Sequence, residues 1–334
     1  MHGRRKGTRP SGVELQEELQ QGAAAAELIR KALQLRKQTL IYPLDTSFRE
    51  KYLVVERALE TNPDEYTLWA FRREVFLLRC EHDSPETVLS LWKEELFLTT
   101  RALQRHPKAY PAWQHRLWLL EDAEVANHIP SEARLEAIKS EQKLSQYMLF
   151  KDGRNFHGWA HRMRVKSVLI SVLPEHESQL EREELAFVEE KINDDFSNYS
   201  AWHHRSVLLP KVHDQSSEVF LTEELDYVRQ AFYTEPNVQS AWFYHRWLLA
   251  GAPARRMKAH VQTRLLEDEL MACNELLEIE PEAKYALQTK AQLLLQLKRG
   301  MEAEAVIDDL ERMDPMRKGY YRYLRGQCHI SYQA

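Results

Sequence analysis

Apolar residues recur at helical spacing along most of the chain, and prolines separate the helical stretches. Between residues 84 and 106, one helical face is formed by Val88, Trp92, Leu96, Thr99 and Leu103. A second face follows two prolines, Pro107 and Pro111, and is formed by Trp113, Leu117 and Leu120. Proline disrupts a helix when it lies in the helix interior, but it is compatible with the first helical turn. The pattern predicts a hairpin of two helices that cannot bury its apolar face alone.

A tryptophan recurs along the chain at intervals of 40 to 46 residues, at Trp69, Trp113, Trp159, Trp202 and Trp242. An arginine follows three residues after each of the first four, and four residues after Trp242. Two degenerate copies without tryptophan lie around Pro281 and Pro315. Self-similarity at this period is typical of stacked helical repeats. The sequence therefore predicts an all-α solenoid of about seven helix hairpins.

The two ends of the chain differ in composition. Residues 1–12 combine glycine and proline with four basic side chains, Arg4, Arg5, Lys6 and Arg9. We predict a flexible basic arm at residues 1–12 and a single helical-repeat domain at residues 13–334. The first helix is expected over residues 13–37, because that stretch is rich in strong helix formers. A linker at residues 251–263 is expected before a helix at residues 265–279.

Composition excludes several classes of function. The chain has 46 Lys and Arg against 51 Asp and Glu, a net charge of −5, so no nucleic-acid partner is predicted. Its three cysteines fit neither a disulfide framework nor a zinc knuckle and are expected to be buried thiols of a reducing compartment. No transmembrane segment or signal peptide is predicted, so we expect a cytoplasmic protein. No phosphate loop, HExxH or serine-hydrolase motif is present, so the chain alone shows no complete active site.

The repeated tryptophan and arginine are interpreted as structural. The indole is expected to fill the seam between hairpins, and the guanidinium to pair with a carboxylate or a turn carbonyl. His115, His161 and His204 occupy one position in three repeats. Equivalent positions in stacked helices lie roughly 10 Å apart, whereas zinc ligands lie about 2 Å from the ion. These histidines are therefore expected to be part of the repeat and not a metal site.

The turns between the helices carry the candidate chemistry. Lys108 and Tyr110 lie between two prolines, and His157 lies in the equivalent turn of the next repeat. Because such turns share one edge of a stacked array, the three side chains are expected to face a common anion, such as a phosphate. The alternative is that they are solvated surface side chains.

The repeat unit Pro-x-Asn/Lys-x-Tyr-x-x-Trp-x-His-Arg resembles the protein prenyltransferase α-subunit repeat, from about residue 50 to about residue 325. Three stretches are similar to the branch of this family that acts on Rab GTPases. They are Met1-His2-Gly3-Arg4, Phe196 to Arg205, and Ala231 to Leu249. Two alternatives stay open: the α subunit shared by farnesyltransferase and type I geranylgeranyltransferase, and a helical-repeat scaffold without catalysis.

The resemblance implies a right-handed superhelical crescent that forms an obligate heterodimer with a prenyltransferase β subunit. The β subunit, not this chain, would hold the zinc. The enzyme would transfer geranylgeranyl from geranylgeranyl diphosphate to C-terminal cysteines of Rab GTPases presented by the Rab escort protein. Larger members contain an immunoglobulin-like domain after the fifth repeat and append leucine-rich repeats. The short linker at residues 251–263 stands where the first of these domains would be, and the sequence stops at Ala334. We therefore expect a compact form without these two domains, either natural or trimmed from a longer chain.

The resemblance also assigns roles to individual residues. Lys108, Tyr110 and His157 match the family residues that lie near the diphosphate. Preplaced donors of this kind stabilise the charge that develops on the leaving group. His2 is a possible autoinhibitory ligand to the β-subunit zinc, because an imidazole is a good zinc ligand.

Overall fold

A computed structural model describes residues 12–41, 48–214 and 217–330. Within these residues the chain forms α-helices and two short 3₁₀ helices, Pro174–His176 and Pro315–Arg317, and no strand. The helices are α1 Gly12–Ile41, α2 Phe48–Thr61, α3 Tyr66–His82, α4 Pro85–Arg105, α5 Tyr110–Glu121, α6 Ala123–His128, α7 Ser131–Lys151, α8 Phe156–Val172, α9 Glu177–Asp194, α10 Tyr199–Val212, α11 Glu218–Thr234, α12 Gln239–Ala250, α13 Ala252–Arg255, α14 Ala259–Ile279, α15 Lys284–Gln296, α16 Gly300–Met313 and α17 Lys318–Ile330. The all-α prediction is confirmed.

Two compact units divide the chain between Pro174 and Glu175. In unit 1, α1 packs on α2, and three hairpins follow: α2–α3, α4–α5 and α7–α8. The second helices of successive hairpins, α3, α5 and α8, contact each other in order. Unit 2 contains four hairpins: α9–α10, α11–α12, α14–α15 and α16–α17. The described residues thus hold the seven hairpins that the sequence predicts.

The α4–α5 hairpin follows its sequence signals closely. Ser84 caps α4, and its Oγ accepts a hydrogen bond from the Thr87 N–H at 3.4 Å. Pro85 occupies the first helical position, where its missing N–H costs nothing. The helix ends at Arg105, two residues before Pro107. The two prolines therefore set the length of the turn between α4 and α5, as predicted.

The repeated tryptophans bind the turns to the helices that follow them. In five repeats the buried indole Nε1–H donates to the carbonyl oxygen six residues earlier. The distances are 2.8 Å to Pro63, 2.9 Å to Pro107, 2.8 Å to Gly153, 2.8 Å to Phe196 and 2.8 Å to Pro236. In the last repeat Tyr321 replaces tryptophan, is fully buried, and donates to Asp314 at 3.0 Å. The tryptophan is therefore structural, and each indole sets the conformation of its own turn.

The predicted linker at residues 251–263 is wrong. The short helix α13 occupies residues 252–255, and α14 begins at Ala259, not at Leu265. Pro253 lies in the first turn of α13, where it is compatible with a helix. Gly251 is required at this point, because a Cβ there would lie 2.3 Å from the Trp247 carbonyl oxygen. The first helix is also longer than predicted, since α1 extends to Ile41.

Across residues 12–41, 48–214 and 217–330, no helix combines the length and the apolar character that a membrane span needs. Cys80, Cys273 and Cys328 are buried free thiols, as the sequence predicts. Burial raises the pKa of the Cys80 thiol to about 11.

Candidate anion-binding site

Two neighbouring turns of unit 1 bring the three candidate side chains together. Lys108 lies in the turn between α4 and α5, Tyr110 is the first residue of α5, and His157 is the second residue of α8, directly after the turn that follows α7. The ring centroids of Tyr110 and His157 lie 5.7 Å apart. The Lys108 Nζ lies 3.0 Å from Asp152 of the second turn. The structure thus places an ammonium, a phenol and an imidazole at one edge of the unit.

All three side chains remain accessible to a ligand. The Lys108 side chain is 49% exposed, Tyr110 is 47% exposed, and His157 is half-buried. Partial burial lowers the pKa of His157; the Asp64 charge opposes this shift in part, and the weaker effect of the Lys108 charge adds to it. His157 is therefore neutral near pH 7 and can donate or accept one hydrogen bond at each ring nitrogen.

Tyr110 and His157 also line a groove of about 600 Å³. The groove continues along α3, α5 and α8, where its polar lining includes Arg73, Gln114 and Arg164. Arg164 is paired with Glu121 through contacts of 2.8 Å to each carboxylate oxygen. The Arg73 guanidinium lies 5.2 Å from the centre of the Trp118 ring, and burial lowers its pKa. An anion at Lys108, Tyr110 and His157 would thus have an adjoining groove whose walls are apolar and carry charged side chains of both signs, since Glu121 and Asp122 also line it.

Buried glutamates explain the repeated arginines and histidines. Glu95 accepts from Arg72 Nε at 3.0 Å to each oxygen and lies 2.9 Å from His115 Nε2. In the next repeat Glu141 accepts from Arg116 at 2.6 and 2.7 Å and lies 2.8 Å from His161. The predicted pairing of arginine with a carboxylate is confirmed. The glutamates themselves, on the first helix of each hairpin, were missed by the sequence analysis.

Unit 2 repeats this arrangement with substitutions. Glu224 accepts from Arg205 Nε at 2.9 Å and from the Tyr244 hydroxyl at 2.7 Å, so a tyrosine replaces the histidine. In the repeat of Trp242 the arginine is displaced by one residue, to Arg246. His245 occupies the usual arginine position and lies 2.7 Å from Glu269. Arg229, on a first helix, then supplies the positive charge at 3.2 Å from Glu269. Glu95, Glu141, Glu224 and Glu269 are thus each paired with a cationic side chain.

A resident metal does not fit the residues that the structure describes. Within them, no group of three or more His, Cys, Asp and Glu side chains could hold an ion. His115, His161 and His245 each direct Nε2 at a different glutamate. His2, the one residue that was named as a possible metal ligand, lies outside the described residues.

We expect the purified chain to bind no stoichiometric zinc, because its described histidines are engaged singly in separate repeats. Metal analysis by plasma mass spectrometry after dialysis checks this, and a zinc-bearing enzyme carried through the same dialysis shows that bound zinc survives it. One tightly held zinc per chain would contradict the prediction.

The family profile for the protein prenyltransferase alpha subunit repeat matches residues 52–78, 92–123, 181–212 and 221–252. The repeat around Trp159 lies between the matched segments and shows the same contact of its indole with the carbonyl six residues earlier. The structure therefore shows a repeat where the profile has no match.

Curated relatives are named as alpha subunits of geranylgeranyl transferase type-2. Geranylgeranyl transferase type-2 subunit alpha of Mus musculus is 42% identical over 217 residues, which are 63% of this chain and 35% of the mouse protein. The Saccharomyces cerevisiae protein of the same name is 31% identical over 196 residues, 57% of this chain and 55% of the yeast protein. The chain thus spans about a third of the length of the mammalian relatives it matches.

A solved structure shares the fold. The Candida albicans protein geranylgeranyltransferase-I complexed with GGPP matches with a TM-score of 0.64, and the alignment covers 87% of this chain and 87% of that chain. Sequence identity is 22%, so this match supports the fold alone.

Proposed function

Because the chain belongs to the protein prenyltransferase alpha-subunit repeat family, we propose that it is the α subunit of a Rab geranylgeranyltransferase. The heterodimer transfers geranylgeranyl from geranylgeranyl diphosphate to C-terminal cysteines of Rab GTPases presented by the Rab escort protein. It acts in the cytoplasm. The observation that carries the proposal is the cluster of Lys108, Tyr110 and His157 in a chain whose curated relatives are type-2 α subunits.

The cluster suits a diphosphate leaving group. As the C–O bond of the prenyl diphosphate breaks, negative charge grows on the diphosphate oxygens. An ammonium at Lys108, a hydroxyl at Tyr110 and an imidazole at His157 stabilise that charge more strongly than the charge of the ground state. Lys108 is paired with Asp152 in the free chain, so the diphosphate must share or replace this ion pair.

The family resemblance implies that the β subunit holds the zinc of this enzyme, and among the described residues of this chain no group of three or more His, Cys, Asp and Glu side chains could hold an ion. Bound there, zinc would hold the substrate cysteine as a thiolate. We also propose that residues 1–12 form a flexible arm ahead of a single repeat domain at residues 13–334. His2 of this arm would be a reversible ligand to the β-subunit zinc in the resting enzyme.

Exposed aromatic rings favour an extensive protein partner. The residue three positions before the tryptophan is aromatic in four repeats and is solvent-exposed in each: Tyr66 at 60%, Tyr110 at 47%, Phe156 at 63% and Tyr199 at 57%. Aromatic side chains are enriched in protein interfaces, and obligate interfaces bury on the order of 2,000–5,000 Å². We assign these rings to the interface with the β subunit. The shared farnesyltransferase α subunit and the non-catalytic scaffold are not favoured by the comparisons.

Co-expression with a β subunit tests the assembly. We expect a one-to-one complex with a type-2 β subunit, and aggregation of the chain expressed alone, because the exposed rings then lack their partner. A farnesyltransferase β subunit expressed in the same way is the matched control and should not be retained. A monodisperse chain that melts cooperatively alone and retains neither β subunit would contradict the proposal.

A further inference from the structure

A buried asparagine connects the two turns that carry the candidate anion site. Asn155 is fully buried and is the N-cap of α8. Its Oδ1 accepts from the backbone N–H groups of His157 at 3.1 Å and Gly158 at 3.3 Å. Its Nδ2 donates to the carbonyl oxygen of Pro107, 48 residues earlier, at 2.8 Å. One side-chain amide therefore holds His157 on one side and the residue before Lys108 on the other.

The Pro107 carbonyl receives a second hydrogen bond from within its own repeat. The Trp113 Nε1–H donates to the same oxygen at 2.9 Å. A carbonyl oxygen has two lone pairs, so these two donors satisfy it fully. The Ala109 N–H donates to His106 at 3.0 Å and closes the turn. The backbone that presents Lys108 and Tyr110 is thus fixed from both sides.

Capping alone does not require an amide. A helix N-cap needs only an acceptor, and Ser84, Asp122 and Ser217 cap their helices with oxygen atoms. Asparagine adds the donor that reaches the preceding turn. At the corresponding position of the preceding repeat stands Ala109, which has no side-chain donor. The donor function of Asn155 therefore serves the connection between the two turns and not the helix start.

We propose that Asn155 is a positioning residue for the diphosphate cluster, an inference that rests on the proposed function. It sets the separation of Lys108 and Tyr110 from His157, whose ring lies 5.7 Å from that of Tyr110. Stabilisation of a developing charge depends on donors held within a few tenths of an ångström. A displacement of about 1 Å costs on the order of 10²-fold in rate. Asn155 contacts neither substrate nor the reacting atoms and acts through the backbone of both turns.

Asn155→Asp separates the two functions of the side chain in the heterodimer. The carboxylate keeps an acceptor for His157 and Gly158 but has no donor for Pro107. Asn155→Ser also keeps a capping oxygen and adds no charge, so agreement between the two variants excludes an effect of the new charge. Ser240→Ala is the matched control, because its hydroxyl forms a comparable bond between turns in unit 2, to Ser197 at 3.0 Å.

We expect both Asn155 variants to lower the single-turnover rate of prenyl transfer on the order of tenfold to 10²-fold. Assembly with the β subunit should be retained, and the thermal unfolding midpoint should fall less for Asn155→Ser than for Asn155→Asp, which buries a carboxylate, so rates are compared at a temperature well below both midpoints. Ser240→Ala should retain the wild-type rate. In a Lys108→Ala background, Asn155→Asp should cost much less than in the wild type, because one of the groups that it positions is absent.

Wild-type rates in both Asn155 variants, or losses that multiply fully with that of Lys108→Ala, would overturn the inference while leaving the proposed function intact. A wild-type heterodimer without any transfer activity would instead overturn the proposed function, and the inference with it.

Discussion

Lys108→Ala is expected to lower the single-turnover rate of geranylgeranyl transfer on the order of 10²-fold or more, with the heterodimer intact. Lys108 carries the one full positive charge among the three cluster residues, since the pKa of His157 is lowered. Loss of this positive charge destabilises the transition state most, because negative charge has then moved onto the departing diphosphate. The chemical step should therefore slow more than substrate binding weakens. Rapid-quench measurement with excess enzyme separates these two effects.

The control for Lys108 is Lys139→Ala, which removes an exposed lysine of α7. This variant should transfer at the wild-type rate. Tyr110→Phe should show a smaller loss than Lys108→Ala, because it removes one neutral donor and keeps the ring that faces His157. An unchanged rate for Lys108→Ala in an intact heterodimer would remove Lys108 from the mechanism.

Glu95→Ala is expected to destabilise unit 1 by about 3–5 kcal/mol. The carboxylate is fully buried and is the partner of Arg72, which is 1% exposed. Without Glu95, an uncompensated guanidinium remains in the core, which is one of the few causes of so large a loss. A drop in the thermal unfolding midpoint on the order of 10 °C should follow, measured by circular dichroism on the complex with its β subunit.

The neighbouring Glu94 provides the matched control for Glu95. Its side chain is 49% exposed and lies 3.9 Å from Arg49, and such surface pairs contribute about 0–1 kcal/mol. Glu94→Ala should therefore shift the midpoint by no more than a few degrees. Equal midpoints for the two variants would show that the buried pair does not hold the hairpins together.

Low pH should weaken the buried ion pairs of Glu95 and Glu141 in the wild-type complex. Burial alone would raise the pKa of Glu95, but the Arg72 charge and the hydrogen bonds from His115 and Arg72 lower it to about 2. Arg116 and His161 likewise lower the pKa of Glu141 to about 2. Because both folded-state values lie below the ordinary value of 4.5, this stabilisation is complete above that pH and is lost as the pH falls towards 2. The thermal unfolding midpoint of a complex that carries Glu95→Gln should therefore fall less between about pH 5 and about pH 3 than the midpoint of the wild-type complex.

The sequence predicted the hairpins well, because local signals set them. Proline, capping serine and the apolar spacing are short-range features, and the α4–α5 hairpin needed no others. The buried glutamates are a different case. The predicted face of α4 included Leu96, which is only partly buried, and omitted Glu95, which is fully buried.

A signal for these glutamates does exist in the sequence. Glu95 lies three residues after Trp92 and four before Thr99, on the same helical face. Glu95, Glu141 and Glu224 follow the arginines that they bind by 23, 25 and 19 residues. A glutamate on an apolar face at this distance from the repeat arginine would have indicated a buried pair. Composition alone did not indicate such a pair, because glutamate is usually found on the protein surface.

The candidate site was predicted only in outline. Lys108, Tyr110 and His157 were expected to share an edge, because equivalent turns of stacked repeats do. Their binding of a diphosphate stays a prediction. Asp152 and Asn155 were not anticipated, since the contact of one turn with the next depends on how the hairpins pack, which no local spacing encodes. Both lie in the turn before His157 and reach back to the preceding repeat.

Prenyl transfer by the reconstituted enzyme tests the central claim most directly. The complex of this chain with a type-2 β subunit would be incubated with labelled geranylgeranyl diphosphate, a Rab GTPase and the Rab escort protein, with Lys108→Ala run in parallel. We predict label on the C-terminal cysteines of Rab, dependence on the escort protein, and no transfer to a short farnesyltransferase peptide substrate. Transfer to the peptide but not to Rab, or an active Rab reaction unaffected by Lys108→Ala, would contradict the account.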